Sequence, residues 1–130
     1  MSENDTLIAA ARQARDNAHA PYSDFRVGAA LRADSGRIYS GCNVENATYG
    51  LTMCAERVAI FKAVSEGDRS FSAIAVVTDT ETLTPPCGAC RQLLWEFCGD
   101  IPVTMANLRG KSEVLQMRDL FPKPFDESNL

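Results

Sequence analysis

Apolar positions near the start of the chain recur at helical spacing. Leu7, Ala10, Ala11, Ala14 and Ala18 predict an amphipathic helix over residues 5–18, with Asp5 or Thr6 as its N-cap and Pro21 beyond its end. The pattern then becomes extended. Residues 25–33 and 37–41 flank the turn tripeptide Asp34-Ser35-Gly36 and read as a hairpin. Helical spacing returns over 54–66 at Val58, Phe61 and Val64, with Gly67 placed as a C-terminal cap. Ile74-Ala75-Val76-Val77 within 71–78 is a short apolar run suited to a strand covered on both faces. A third helix is expected over 87–98, stopped by Gly99, then strands at 101–106 and 112–115 and a short helix ending at Pro122. Strands alternating with helices imply a layered α/β domain, a mixed sheet covered by helices.

The chain has 130 residues, enough for one globular domain with a core that needs neither disulfides nor a structural metal. Thirteen basic and seventeen acidic residues leave a net charge of −4, which disfavours a nucleic-acid partner because phosphate contact relies on Lys and Arg. The N-terminal Met1-Ser2-Glu3-Asn4-Asp5 has neither the basic nor the apolar region of a signal peptide. No apolar run approaches the ~20 residues that span a bilayer, so no membrane association is expected and the expected compartment is the cytoplasm.

Composition leaves one anomaly, five cysteines at 42, 54, 87, 90 and 98. In a reducing compartment such residues serve more often as metal ligands or catalytic thiols than as disulfides. Cys54-Ala55-Glu56 and Pro86-Cys87-Gly88-Ala89-Cys90 each open a predicted helix. Cys87 and Cys90 are one turn apart on one face, and the positive end of a helix favours the thiolate that a metal requires. If the two helix starts converge, Cys54 joins them. Three thiolates without a fourth protein ligand suit a catalytic zinc with one position open, whereas structural zinc is usually closed by four. Cys42, Cys98 and His19 are the alternatives for a fourth ligand; the two cysteines read as core packing and His19 as a helix-end or exposed residue.

Three thiolates around Zn²⁺ carry a net negative charge that something must offset. Arg57, three residues after Cys54, and Arg91, four after Cys87, are placed to donate to sulfur. Glu56, two residues from Cys54, does not share its face and is therefore the candidate acid/base rather than a ligand. A thiol redox protein is the competing reading of the CxxC motif, but it leaves Cys54 and Glu56 unexplained.

A ligand-x-Glu motif followed by Pro-Cys-x-x-Cys is the pattern of zinc nucleobase deaminases. The chain resembles the small, homotetrameric, three-cysteine cytidine deaminases from about Pro21 to Phe125. The carriers are Tyr22-Ser23-Asp24-Phe25-Arg26-Val27-Gly28-Ala29-Ala30, Cys42-Asn43-Val44-Glu45-Asn46-Ala47, Thr52-Met53-Cys54-Ala55-Glu56-Arg57 and Pro86-Cys87-Gly88-Ala89-Cys90-Arg91-Gln92. The resemblance implies a three-layer α/β/α domain over residues 1–130 with a mixed five-stranded sheet. It implies one Zn²⁺ per chain on Cys54, Cys87 and Cys90, with Glu56 moving protons while cytidine or 2′-deoxycytidine loses ammonia in pyrimidine salvage. It further implies that Asn43 and Glu45 hold the ribose, that Phe25 packs on the pyrimidine and that the Ala55 backbone helps to read the base. Tyr49 and Phe125 would reach across subunit interfaces of a homotetramer with shared active sites. A deaminase of a modified cytosine nucleoside, such as N4-substituted cytidine or blasticidin S, is the alternative; the Asn43 to Asn46 stretch favours the plain nucleoside.

Overall fold

The structure, a computed structural model, describes residues 2–130. It begins with helix α1 (Glu3–Arg15), which starts earlier than the periodicity indicates because Ser2, not Asp5 or Thr6, is its N-cap. The Ser2 hydroxyl accepts the Asp5 N–H at 3.0 Å and the Asp5 carboxylate accepts the Ser2 N–H at 3.3 Å, a reciprocal capping box. Asp5 thus serves inside the first turn. The helix also ends earlier than residue 18. Beyond it the chain is captured by an extended segment: the His19 N–H donates to Asn43 O at 2.9 Å, and the Glu45 N–H donates back to His19 O at 2.8 Å.

Strands β1 (Val27–Ala33) and β2 (Ile38–Cys42) form the expected hairpin, entered two residues late because Phe25 and Arg26 belong to a loop. Helix α2 (Ala55–Ser65), strand β3 (Phe71–Thr78), helix α3 (Gly88–Cys98), strands β4 (Pro102–Ala106) and β5 (Ser112–Gln116), and the short helix α4 (Met117–Leu120) follow. The sheet order is β2-β1-β3-β4-β5. Among the strand pairs of the sheet, β3 with β4 is the parallel one, as a strand–helix–strand crossover through α3 requires. The sheet is mixed and five-stranded, as expected.

Apolar packing on both faces makes three layers. Leu7 and Ala11 of α1 bury against Ala30, Ala75, Val77 and Ala106. On the opposite face Ala59, Ile60 and Ala63 of α2, Leu94 of α3 and Met117 of α4 cover Leu31, Ile74 and Val103. Two glycines let the layers approach. A Cβ on Gly28 would lie 2.0 Å from the Ala11 carbonyl oxygen, and one on Gly41 would lie 2.7 Å from both the Ala55 oxygen and the Ala59 nitrogen. Gly41 therefore sets how closely the first turns of α2 sit on β2. Among the described residues no helix is long and apolar enough to cross a membrane.

Candidate active site

Two helix starts meet beside the end of β3. Cys54 is the N-cap of α2 and Cys87 the N-cap of α3, both with extended backbone and neither capping its helix through its side chain. N-caps are usually short oxygen-bearing residues that occupy the first free N–H groups; here both positions carry thiols, so the positive helix ends stay directed at sulfur. Cys90, one turn into α3, is fully buried. The three Sγ atoms lie within 4.8 Å of one another, and no fourth His, Cys, Asp or Glu belongs to the group among the described residues. Cys42 and Cys98 stand apart from it, both half-buried rather than deep in the core. Cys98 packs at the core's edge, where burial pushes its thiol up to about 12.

The sulfur cluster is electrically unbalanced by itself. The Cys54 thiol is pulled down to about 5, chiefly by a hydrogen bond from Cys90 and also by Arg57. Cys90 is pushed up because it donates to Cys54 and is buried. The two shifts run in opposite directions because neighbouring thiolates repel, a repulsion that a dication removes. Tetrahedral zinc with Zn–S bonds of about 2.3 Å separates its sulfurs by about 3.8 Å, which the cluster's span accommodates. The donor set fits zinc.

Arg57 Nη2 lies 3.5 Å from Cys54 Sγ and 3.2 Å from the Thr52 carbonyl oxygen, within reach of the sulfur as its spacing from Cys54 indicates. Arg91 departs from expectation. Its Nε donates to Pro86 O at 2.7 Å and its Nη1 to Leu120 O at 2.8 Å, so it braces the residue before Cys87 rather than a sulfur. The reason lies outside α3: Pro86 O precedes the helix and Leu120 O ends α4, so neither carbonyl has a helical N–H partner and both lie within reach of the guanidinium.

Glu56, in the first turn of α2, is only 5% exposed. Desolvation pushes its carboxyl up to about 7, helped by the Cys54 charge and opposed by Arg57. It opens onto a cleft of about 190 Å³ together with Cys54, Cys87, Ala55, Phe25 and Asn43. Residues that sequence reasoning did not single out complete this cleft: Val27, Thr52, Met53, Val76, Thr84 and Pro85. Val27, Thr52 and Met53 lie within the quoted motifs and Thr84 and Pro85 just before Pro86, though none was given a role; Val76 belongs to the apolar run of β3, which signals a strand and not a site.

Asn43 is buried, with Oδ1 accepting from the Val27 N–H at 2.9 Å and Nδ2 donating to Phe25 O at 2.7 Å. Glu45 lines an adjoining hollow of about 300 Å³ with Tyr22, Ser23, Tyr49 and Thr52, and Thr52 borders both spaces. The Ser23 hydroxyl and the Tyr22 and Ser23 N–H groups hold the Glu45 carboxyl below the usual carboxylate range. Tyr49 is 75% and Phe125 61% exposed, neither bordering the Glu56 cleft. His19 takes part through its backbone bridge to Val44 and touches no sulfur cluster.

Residues 1–105 match the profile of the cytidine and deoxycytidylate deaminase zinc-binding region. A cytidine deaminase of Sporosarcina psychrophila is 54% identical over 127 residues, 97% of this chain and 93% of its own. The crystal structure of a cytidine deaminase from Burkholderia pseudomallei superposes with a TM-score of 0.90 at 48% identity, covering 96% of this chain and 100% of that one. A blasticidin-S deaminase of Bacillus cereus is more distant, 32% identical over 82% of this chain and 77% of its own. With the match extending over most of the chain and through both cysteine motifs, the protein belongs to the cytidine and deoxycytidylate deaminase family of zinc-binding proteins.

Proposed function

We propose that the protein hydrolyses cytidine and 2′-deoxycytidine to uridine and 2′-deoxyuridine, releasing ammonia. The observation that carries this reading is a buried carboxylate, Glu56, opening onto one small cleft with two of the three clustered thiols and with Asn43 and Phe25. Cys54, Cys87 and Cys90 would hold one Zn²⁺ per chain, which when bound supplies the Lewis acidity that makes water nucleophilic near neutral pH. Glu56 takes a proton from the attacking water and delivers it to the amino nitrogen that departs from C4. Its side chain is shut away from bulk solvent, so that proton is retained within the cleft. Arg57 offsets the negative charge of the sulfurs through Cys54, and Arg91 acts on Cys87 indirectly by fixing Pro86.

The remaining contacts select the substrate. Phe25 offers an apolar face to the pyrimidine, and the Ala55 backbone offers polar groups to its edge. Asn43 and Glu45 are assigned to the ribose, Asn43 from within the cleft and Glu45 from the adjoining hollow. The exposed aromatics Tyr22, Tyr49 and Phe125 support walls completed by neighbouring subunits of a homotetramer. Residues 1–130 are read as one domain, and the activity is assigned to pyrimidine salvage in the cytoplasm.

Ultraviolet absorbance of the zinc-quantified protein with cytidine, CMP and free cytosine tests the reading. Turnover of cytidine, faster than of CMP or cytosine, at about one zinc per chain is the expected result. Turnover of blasticidin S or an N4-substituted cytidine without turnover of cytidine would overturn the substrate assignment. Absence of zinc would overturn the metal site and return Cys87 and Cys90 to redox chemistry.

A further inference from the structure

Ser23 joins parts of the site that lie far apart in sequence. Its hydroxyl donates to Glu45 Oε2 and accepts the Phe25 N–H at 3.0 Å. One side chain thus touches both the carboxylate assigned to the sugar and the backbone of the aromatic assigned to the base. Asp24, between Ser23 and Phe25, has a φ of 56°, a left-handed conformation that non-glycine residues rarely adopt. Its N–H donates to Ala20 O at 3.0 Å, closing a turn whose shape depends on bonds at both ends.

The state of Glu45 makes this linkage consequential. Oε1 accepts the Tyr22 N–H at 2.9 Å and the Ser23 N–H at 3.1 Å, while Oε2 accepts, among the described residues, only the Ser23 hydroxyl. A carboxylate offers about four lone-pair directions. Three are occupied from within the chain, and the remaining one lies on the oxygen that Ser23 orients. A sugar hydroxyl donating to Glu45 must use that direction. Asn43 grips the other side of the same loop through Phe25 O and Val27 N–H, so the loop carrying Phe25 is held from both sides by the two residues assigned to the ribose.

We infer that Ser23 is a positioning residue for nucleoside recognition: its hydroxyl aims Glu45 at the sugar and Phe25 at the base, so that the two halves of the substrate are bound in register. The inference rests on the nucleoside reading above. It concerns binding and leaves the sulfur cluster untouched, since Ser23 is exposed and is not among the residues around Glu56 and Cys54.

Ser23→Ala and Ser23→Thr are compared with the parent protein in steady-state kinetics on cytidine and 2′,3′-dideoxycytidine, with zinc content and Tm measured alongside. Ser23→Ala is expected to raise KM for cytidine about tenfold, to change kcat less than about twofold and to raise KM for the dideoxynucleoside only about twofold. Ser23→Thr, which keeps the hydroxyl, should stay within about twofold of the parent on both substrates. In a Glu45→Gln background Ser23→Ala should add much less than in the parent, because the bond it removes is already altered. An unchanged KM for cytidine in Ser23→Ala overturns the inference. So does an equal change on both substrates accompanied by loss of zinc or a large fall in Tm, which would make Ser23 merely structural. A parent protein that turns over no cytidine removes the nucleoside reading and this inference together, whereas an active parent indistinguishable from Ser23→Ala removes this inference alone.

Discussion

At the sulfur end of the cleft the functional atoms come from two helix N-caps, Cys54 and Cys87, and from a residue one turn inside α3, Cys90. At the end assigned to the sugar they come from irregular segments, with Glu45 and Asn43 bonded to the backbone of residues 22, 23, 25 and 27. The first end inherits its geometry from regular structure: α2 rests on β2, α3 packs against α2, and both helices share one apolar core. The second inherits its geometry from individual polar bonds. A site that must hold a metal through every turnover stands on rigid elements, while a site that admits and releases a nucleoside stands on a loop that a few hydrogen bonds shape.

The contrast predicts that substitutions at the two ends fail differently. Cys87→Ala has the largest effect: zinc is lost on dialysis against a chelator and turnover falls to background, as metal analysis and the absorbance assay would record. Retained zinc would mean that the paired helix starts are not the metal site. Glu56→Gln should keep zinc and fold while lowering kcat by about 10²–10⁴-fold; near-normal turnover would remove Glu56 from proton transfer.

Gly41→Ala tests whether rigidity at the sulfur end depends on close approach. Its Cβ would meet backbone atoms of Ala55 and Ala59 at 2.7 Å. Denaturant unfolding should show a loss of about 1–3 kcal/mol, with weaker zinc retention because the start of α2 must shift. Asn43→Ala works on the opposite end. It should also destabilise by about 1–3 kcal/mol, since it leaves the Val27 N–H and the Phe25 carbonyl without their partner. Here zinc should stay at the parent level while KM for cytidine rises far more than for free cytosine. Loss of zinc in Asn43→Ala would erase the distinction between the two ends.

The smallest effect lies away from both ends. The Asp126 carboxylate accepts from Ser128 and, at 3.1 Å, from the indole N–H of Trp95, the single tryptophan, and these bonds hold its pKa below the ordinary carboxylate value. A depressed folded-state pKa gives stabilisation that is present above the ordinary value and is lost as pH falls through the lowered one. Trp95 fluorescence should therefore hold steady from neutral pH down to about 4 and change only below it. A transition near neutrality would show that another group controls the C-terminal segment.

Much of the sulfur end was legible because each of its features is local. Cys54-x-Glu56 and Cys87-x-x-Cys90 are short motifs at starts of periodic segments, and helical geometry converts their spacing into facing side chains. The strand order was less accessible, because the parallel pairing of β3 with β4 depends on contacts across the whole chain. Ser2 escaped notice as the cap of α1 since a polar N-terminal run offers several candidates, and only the bond to Asp5 selects one. Arg91 shows the opposite error. Its spacing from Cys87 indicated sulfur, yet the carbonyls of Pro86 and Leu120 offered a stronger partnership, one of them 29 residues away.

The sequence by itself determined the elements, the thiol set and the carboxylate beside it, because periodicity and motif spacing act over one or two helical turns. The tertiary structure alone decided which apolar and backbone groups wall the cleft, that Glu45 and Asn43 are anchored to the Tyr22–Val27 loop, and that Ser23 links them. Those relations join residues about twenty positions apart, and their geometry follows from how α1, β1 and β2 pack, which no local pattern encodes.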